Sequence, residues 1–216
     1  MDSKMLRKIL LICGILSSVL YVGTDIFAAM QIPGYSYLDQ AISELSAIGA
    51  QTRPLWIAMS FIYAPLVIAF GIGVLKSAGE NRSLRITGIL LSIWGTLGFV
   101  WLLFPMHMRG AIGSFTDTMH LVMSGVTVLL IIAMIGFGSG TQGKWFRIYS
   151  ILTILAMLIF GALVGQQAPS VAAQLPTPWM GVMERVSVYS SMLWVLVLGV
   201  VLLRKNSQDP INLSDA

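Results

Sequence analysis

Charge is scarce in this chain. Its 216 residues hold 13 Lys and Arg and 9 Asp and Glu, 10% in all, where a soluble domain carries about a quarter. An ordinary water-soluble globule is thereby excluded. Cysteine is represented once, by Cys13 inside the first apolar stretch, so no intrachain disulfide can form. Histidine occurs twice, and neither HExxH nor HxxxH is present, which removes the sequence signatures of a helix-borne zinc site. The basic pI of about 9.4 does not signal nucleic acid, because the basic residues are scattered between apolar runs instead of gathered on one patch.

Apolar residues are abundant: 56% of the chain, with 21 Gly, 13 Met and 6 Trp and a mean hydropathy of +0.85. A surface that oily suits lipid as solvent. Six windows reach the length needed to cross a hydrocarbon layer, at about 9–30, 55–75, 86–104, 120–137, 148–164 and 182–203. They are long, continuous and without period-two alternation, so they predict helices and not the strands of a barrel. The expected fold is all-α: one integral membrane bundle of six transmembrane helices over 1–205, with a polar cytoplasmic tail at 206–216 and no soluble domain. The first run follows Lys4, Arg7 and Lys8 but is too long for a cleavable signal and ends in Phe27-Ala28-Ala29-Met30, so it reads as a retained helix.

Orientation follows from the basic residues. Lys4, Arg7, Lys8, Lys76, Arg82, Arg85, Lys144, Arg147, Arg204 and Lys205 fall at one set of span ends, and only Arg53, Arg109 and Arg185 at the other. The positive-inside rule then puts both termini in the cytoplasm of a cell-membrane protein. Most tryptophans, Trp56, Trp101, Trp145, Trp179 and Trp194, read as an interfacial belt. The glycine pairs 71 and 73, 95 and 98, and 136 and 138 read as close helix contacts. Pro65 should kink the second span.

The outward connections carry the chemistry. In 31–54, Leu38, Ile42, Leu45 and Ile48 recur at helical spacing, with Ser36 as an N-cap and Gly49 as a stop, which predicts a short interfacial helix capping the bundle mouth. Ser43, Glu44 and Arg53 are its candidate functional residues. His107 and His120 flank the connection that also holds Arg109 and Asp117. Asp117 and His120, three apart, share a face that continues to Ser124 and Thr127. Asp117 either holds the His120 ring or caps its helix. Matching polar stripes run through Ser18, Tyr21 and Asp25 on the first span and Glu184, Ser187 and Ser191 on the sixth. At 1.5 Å per residue Asp25 sits about 24 Å beyond Ile9, still within hydrocarbon. An unpaired charge at a helix centre costs about 2.5–3.5 kcal/mol by insertion scales. Asp25 therefore needs a partner, with Arg185, Arg109 or a histidine available.

Taken together, Ile42-Ser43-Glu44-Leu45-Ser46-Ala47-Ile48-Gly49, Phe104-Pro105, His120, and Gly181-Val182-Met183-Glu184-Arg185, set among six spans, resemble the bacterial multipass membrane proteins catalogued as domain of unknown function 998. The resemblance covers nearly the whole chain and implies the same topology, without an activity. The family pattern has an acidic residue after the Phe-Pro pair where this chain has His107.

Asp25, Glu44, His120, Glu184 and Arg185 are expected to converge at a common depth. With Ser43, Arg109 and Asp117 they form the candidate site of a membrane protein whose outward polar pocket binds a lipid headgroup or small ligand. The alternative is a metal-dependent hydrolase acting on a lipid or amide at the outer leaflet, with His107, Asp117 and His120 as ligands to zinc. A haem-binding electron carrier and a transporter are further readings: the first would use the two histidines axially, and the second lacks midplane charges. The lipid bilayer is the one partner the sequence names, and oligomeric state is not specified.

Overall fold

The structure is a computed structural model and describes residues 3–208. Six helices account for most of them: α1 (Ser3–Gln31), α2 (Arg53–Ser77), α3 (Arg82–Val100), α4 (Phe115–Ser139), α5 (Lys144–Ala172) and α6 (Met180–Gln208). All six are long and apolar enough to cross a membrane. The helices overrun the sequence windows because polar terminal turns continue past the hydrocarbon. Helix α6 passes position 206 into what was expected to be tail, and 209–216 lie outside the described residues.

Sequential helices pack on one another, and α6 returns against α1 and α2, so the bundle closes into a ring. Its core holds Phe70, Leu11, Val67, Leu91, Met134, Ile135, Trp194 and Leu198. Leu16, Val19, Phe61, Leu129, Leu152 and Ile159 face outward. Lipid does not penalise such a surface, so association rests on close packing and interhelical polar contacts. Ser18 Oγ lies 2.9 Å from the Met192 carbonyl, tying α1 to α6. Helix α2 runs through Pro65 as a single helix.

Trp194 departs from the interfacial belt. It is fully buried, and its indole N–H donates to Ser150 Oγ at 2.8 Å. A buried hydroxyl supplies the acceptor that an interfacial tryptophan finds in water. Trp56 is buried as well, at 7% exposed, whereas Trp145 and Trp179 are exposed, as a belt requires.

The glycines divide by neighbour. A Cβ at Gly71 would stand 2.8 Å from the Gly88 carbonyl and 2.8 Å from the Ser92 amide of α3; one at Gly73 would meet the α1 backbone at Leu10 and Leu11. Gly138 makes room for the Trp194 ring, whereas a Cβ at Gly136 would meet nothing within 4 Å. The expectation of close contact thus holds at 138 and not at 136, one position off the packed face.

At one end of the bundle lie Ser3, the α2–α3 and α4–α5 connections and the end of α6, with most of the basic residues; we call it the basic end. At the other, the loop end, three connections (32–52, 101–114 and 173–179) cover the bundle mouth. The expected interfacial helix there is only a five-residue 3-10 turn, Ile42–Ser46. Ser36 and Asp39 do hydrogen-bond, at 2.9 Å between side chains, but they close a separate turn. Ile42 and Leu45 plug into the core, while Leu38 and Ile48 stay exposed. The chain bends between them because its carbonyls are claimed by other elements, which an α-helix would have consumed internally.

Replacing Gly71 by Ala should force α2 and α3 apart and cost about 1–3 kcal/mol. Gly136→Ala should stay within about 0.5 kcal/mol of the parent. Equilibrium unfolding in mixed micelles distinguishes the two.

Candidate functional site

Two guanidinium–carboxylate pairs organise the loop end, one buried on both sides and one with a half-buried arginine. Asp25, on α1, has no exposed surface, and Arg185, on α6, is 4% exposed. They meet bidentately, Nε to Oδ2 at 2.8 Å and Nη2 to Oδ1 at 2.9 Å. Arg185 Nη1 also donates toward the carbonyls of Tyr37 (2.9 Å), Gln40 (3.1 Å) and Gly181 (3.1 Å), and Nη2 to the Tyr35 hydroxyl (2.9 Å). The Tyr37 ring lies against the guanidinium, its centroid 3.5 Å from Cζ. Asp25 Oδ2 accepts further hydrogen bonds from the Tyr37 hydroxyl at 3.1 Å and from the Tyr189 hydroxyl. A charge this deep is tolerable only when such bonds replace its hydration.

Tyr35 completes that shell. Burial pushes its phenol up, and it remains a protonated donor. It faces the carbonyls of Gln40 and Ala41, at 3.0 and 2.9 Å, while accepting from Arg185.

The second pair joins two connections. Glu44, in the 3-10 turn, is 2% exposed and takes Arg109 bidentately, at 2.6 Å to Nε and 2.9 Å to Nη2. The Glu44 carboxylate also caps its own turn through the Ala41 amide (2.9 Å) and receives Gln40 Nε2 (3.2 Å). Arg109 reaches Thr177 Oγ1 (2.7 Å), the Asp39 carbonyl (3.4 Å) and the Leu175 carbonyl (3.3 Å), so it touches all three connections. Gln174 donates back to the Arg109 carbonyl at 3.1 Å.

The start of α6 is stitched to the first connection as well. The free amides of a helix N-terminus need outside acceptors. Val182 N donates to the Leu38 carbonyl (3.1 Å), and Trp179 N to Asp39 Oδ1 (2.9 Å). Glu184 accepts from the Ile42 amide. Gly181 permits this approach: a Cβ there would stand 2.4 Å from the Gln40 carbonyl and 2.6 Å from that of Tyr37.

The histidines go elsewhere. Asp117 is the N3 residue of a capping box with Ser114, accepting the Ser114 and Gly113 amides, both at 2.9 Å. Its carboxylate takes His107, through the backbone amide at 2.7 Å and through Nδ1 at 3.1 Å. It does not hold His120. Because a carboxylate can only accept, His107 Nδ1 carries a proton in this contact. His120 Nδ1 donates to the Phe104 carbonyl at 3.0 Å, and its ring packs edge-on against Trp101. Asp117 and His120 lie three residues apart on α4, but the returning connection at 104–107 supplies each with a partner of its own.

Of the five residues expected to converge, Asp25, Glu44, Glu184 and Arg185 gather around the 35–44 segment, and His120 stands apart. Arg109 joins them through Glu44. Ser43 is half-buried and contributes its carbonyl to Ser46 Oγ at 3.1 Å, not to either ion pair. Arg53 holds the Ser46 carbonyl at 3.0 Å. Among the described residues no three His, Cys, Asp or Glu side chains come together to hold a metal ion, so His107 and Asp117 pair without His120 as a third ligand.

Tyr35, Tyr37, Gln40, Thr177 and Tyr189 belong to this network and were not singled out from the sequence. Tyr189 could have been found, since it lies four residues after Arg185 on one helix face. The others sit in irregular backbone, where no periodicity places a side chain.

Asp25→Asn should leave Arg185 buried without its counter-charge and cost about 3–5 kcal/mol in unfolding experiments. The double variant Asp25→Leu, Arg185→Met should recover only part of that, because the Tyr37 and Gln40 carbonyls lose their donor. Limited proteolysis should then cut within 32–52, where the parent resists.

No curated protein and no solved structure matches this chain. A family model does, over residues 15–201, and it spans five of the six helices in full or nearly so together with all three loop-end connections. The chain is a multipass membrane protein and belongs to the family described as Protein of unknown function (DUF998).

Proposed function

We propose that this protein binds a bilayer lipid at its loop end, with the Asp25–Arg185 centre setting the shape of the site. The supporting observation is a groove of about 400 Å³ lined by Ile26, Ala29, Met30, Tyr35 and Tyr37. Its walls on α1 are apolar, and Ile26 and Met30 are exposed to the surrounding phase. Its head is made by the two tyrosines whose hydroxyls meet Arg185 and Asp25. An acyl chain lying on Ile26, Ala29 and Met30 brings its ester and headgroup to the phenols, the arrangement that tyrosine favours at a membrane boundary.

The polar residues of the loop end then serve as positioning groups. Their hydrogen bonds are spent on each other and on the connections, so they hold Tyr35 and Tyr37 in place instead of reacting. In this reading the basic end lies in the cytoplasm, as the positive-inside rule requires, and the groove opens toward the outer leaflet of the cell membrane.

Ala29→Trp fills the groove from α1 without touching either ion pair. Native mass spectrometry of the purified protein should show retained phospholipid on the parent and at least about tenfold less on the variant, a change of about 1.4 kcal/mol. Equal retention at unchanged thermal stability would remove the groove from consideration.

A further inference from the structure

The basic end contains a second cavity with a different character. It is a cleft of about 180 Å³ between α1, the α2–α3 connection, the α4–α5 connection and the end of α6. Arg7 and Lys205 line it, and none of the described residues lining it is acidic. It opens beside the first turn of α3, whose N-cap Asn81 takes the Leu84 amide at 2.9 Å and whose amide dipoles favour negative charge.

Most polar groups around the cleft are used. Ser77 Oγ donates to the Gly73 carbonyl at 2.8 Å, Thr141 Oγ1 to the Gly138 carbonyl at 2.7 Å, and Gln142 Nε2 to Thr141 Oγ1 at 3.2 Å. Asn206 is the exception: it is 4% exposed, lines the cleft, and among the described residues neither its Oδ1 nor its Nδ2 has a hydrogen-bond partner. Gln142 Oε1 is buried without a partner too. A buried amide with neither atom bonded bears its whole desolvation cost, so a native structure keeps one where something else completes it. Among the described residues the unmatched set at Asn206 and Gln142 is one amide donor and two acceptors, in a cleft that Lys205 also lines.

We propose that this cleft is a binding site for a phosphate ester that carries hydroxyl groups, of the glycerol phosphate type. The phosphate takes the charge of Lys205 and accepts from Asn206 Nδ2. The ester's hydroxyls donate to Asn206 Oδ1 and Gln142 Oε1. Inorganic phosphate alone would leave those acceptors unfilled, and a neutral polyol would bring no charge to Lys205. The same chemistry is offered by soluble glycerol phosphate and by a phosphatidylglycerol headgroup. This site lies at the opposite end of the bundle from the groove of Ala29 and does not depend on it.

The test uses the full-length protein in phosphatidylcholine nanodiscs. Calorimetric titration with glycerol 3-phosphate and with inorganic phosphate tests the soluble source; native mass spectrometry after exchange into mixed phosphatidylcholine and phosphatidylglycerol discs tests the lipid. Tighter binding of glycerol phosphate than of phosphate supports the soluble ester, and selective retention of phosphatidylglycerol supports the headgroup. In either case Asn206→Leu and Gln142→Leu, made separately, should weaken binding at least about tenfold. Asn206→Leu should not lower the thermal midpoint without ligand, since it removes an unpaired buried amide. Ala29→Trp should leave this binding unchanged. Failure of both ligands to bind, or binding equal in parent and both leucine variants, overturns the proposal.

Discussion

A guanidinium placed under a membrane-protein cap must find a counter-charge and an acceptor for each of its N–H groups, and the loop end of this bundle is arranged around meeting that demand twice. Arg185 meets it with Asp25, a phenol and three backbone carbonyls. Arg109 meets it with Glu44, Thr177 and carbonyls from two other connections. The planar, forked donor set of arginine suits this work, where lysine would offer a point charge. The long first connection, which has only one short turn of regular structure, acquires its conformation from these bonds. Its carbonyls are directed by the arginines and its apolar plugs, Ile42 and Leu45, follow.

Complete satisfaction has a functional corollary. Groups already bonded to one another can position neighbours but have little left for a ligand, which directs attention to surfaces beside the network and away from its centre. At the loop end that surface is the tyrosine-headed groove on α1. At the basic end, by contrast, Asn206 and Gln142 Oε1 are buried without a hydrogen-bond partner among the described residues, and both line one cleft. The contrast separates polar residues that fix the fold from polar residues that await something.

Between the two ends the bundle follows the economics of lipid as solvent. Apolar side chains such as Leu16, Leu129 and Leu152 stand outward, and the helices approach through glycine where backbone meets backbone. Gly71 against Gly88 and Ser92, and Gly73 against α1, bring α2 close to both neighbours. That proximity fixes the ring of helices and therefore the separation of α1 and α6, across which Asp25 and Arg185 must reach.

The six spans, their alternation and the asymmetry of basic residues were legible in the chain, because hydrophobic length and charge placement are local properties that lipid imposes segment by segment. The need of Asp25 for a partner was legible for the same reason. Which partner it took was not: Arg185 lies 160 residues away, Arg109 lies 65 from Glu44, and such meetings depend on how the helices close into a ring. The same holds for Asp117, whose helical neighbour His120 lost to His107 once the returning connection came near. It holds for Trp194, placed by span position at the boundary yet drawn inward by Ser150 on α5. Sequence alone determined that charges had to be buried at particular depths; tertiary structure decided which groups neutralise them, because hydrogen bonds act over a few Å and proximity on that scale belongs to the folded bundle.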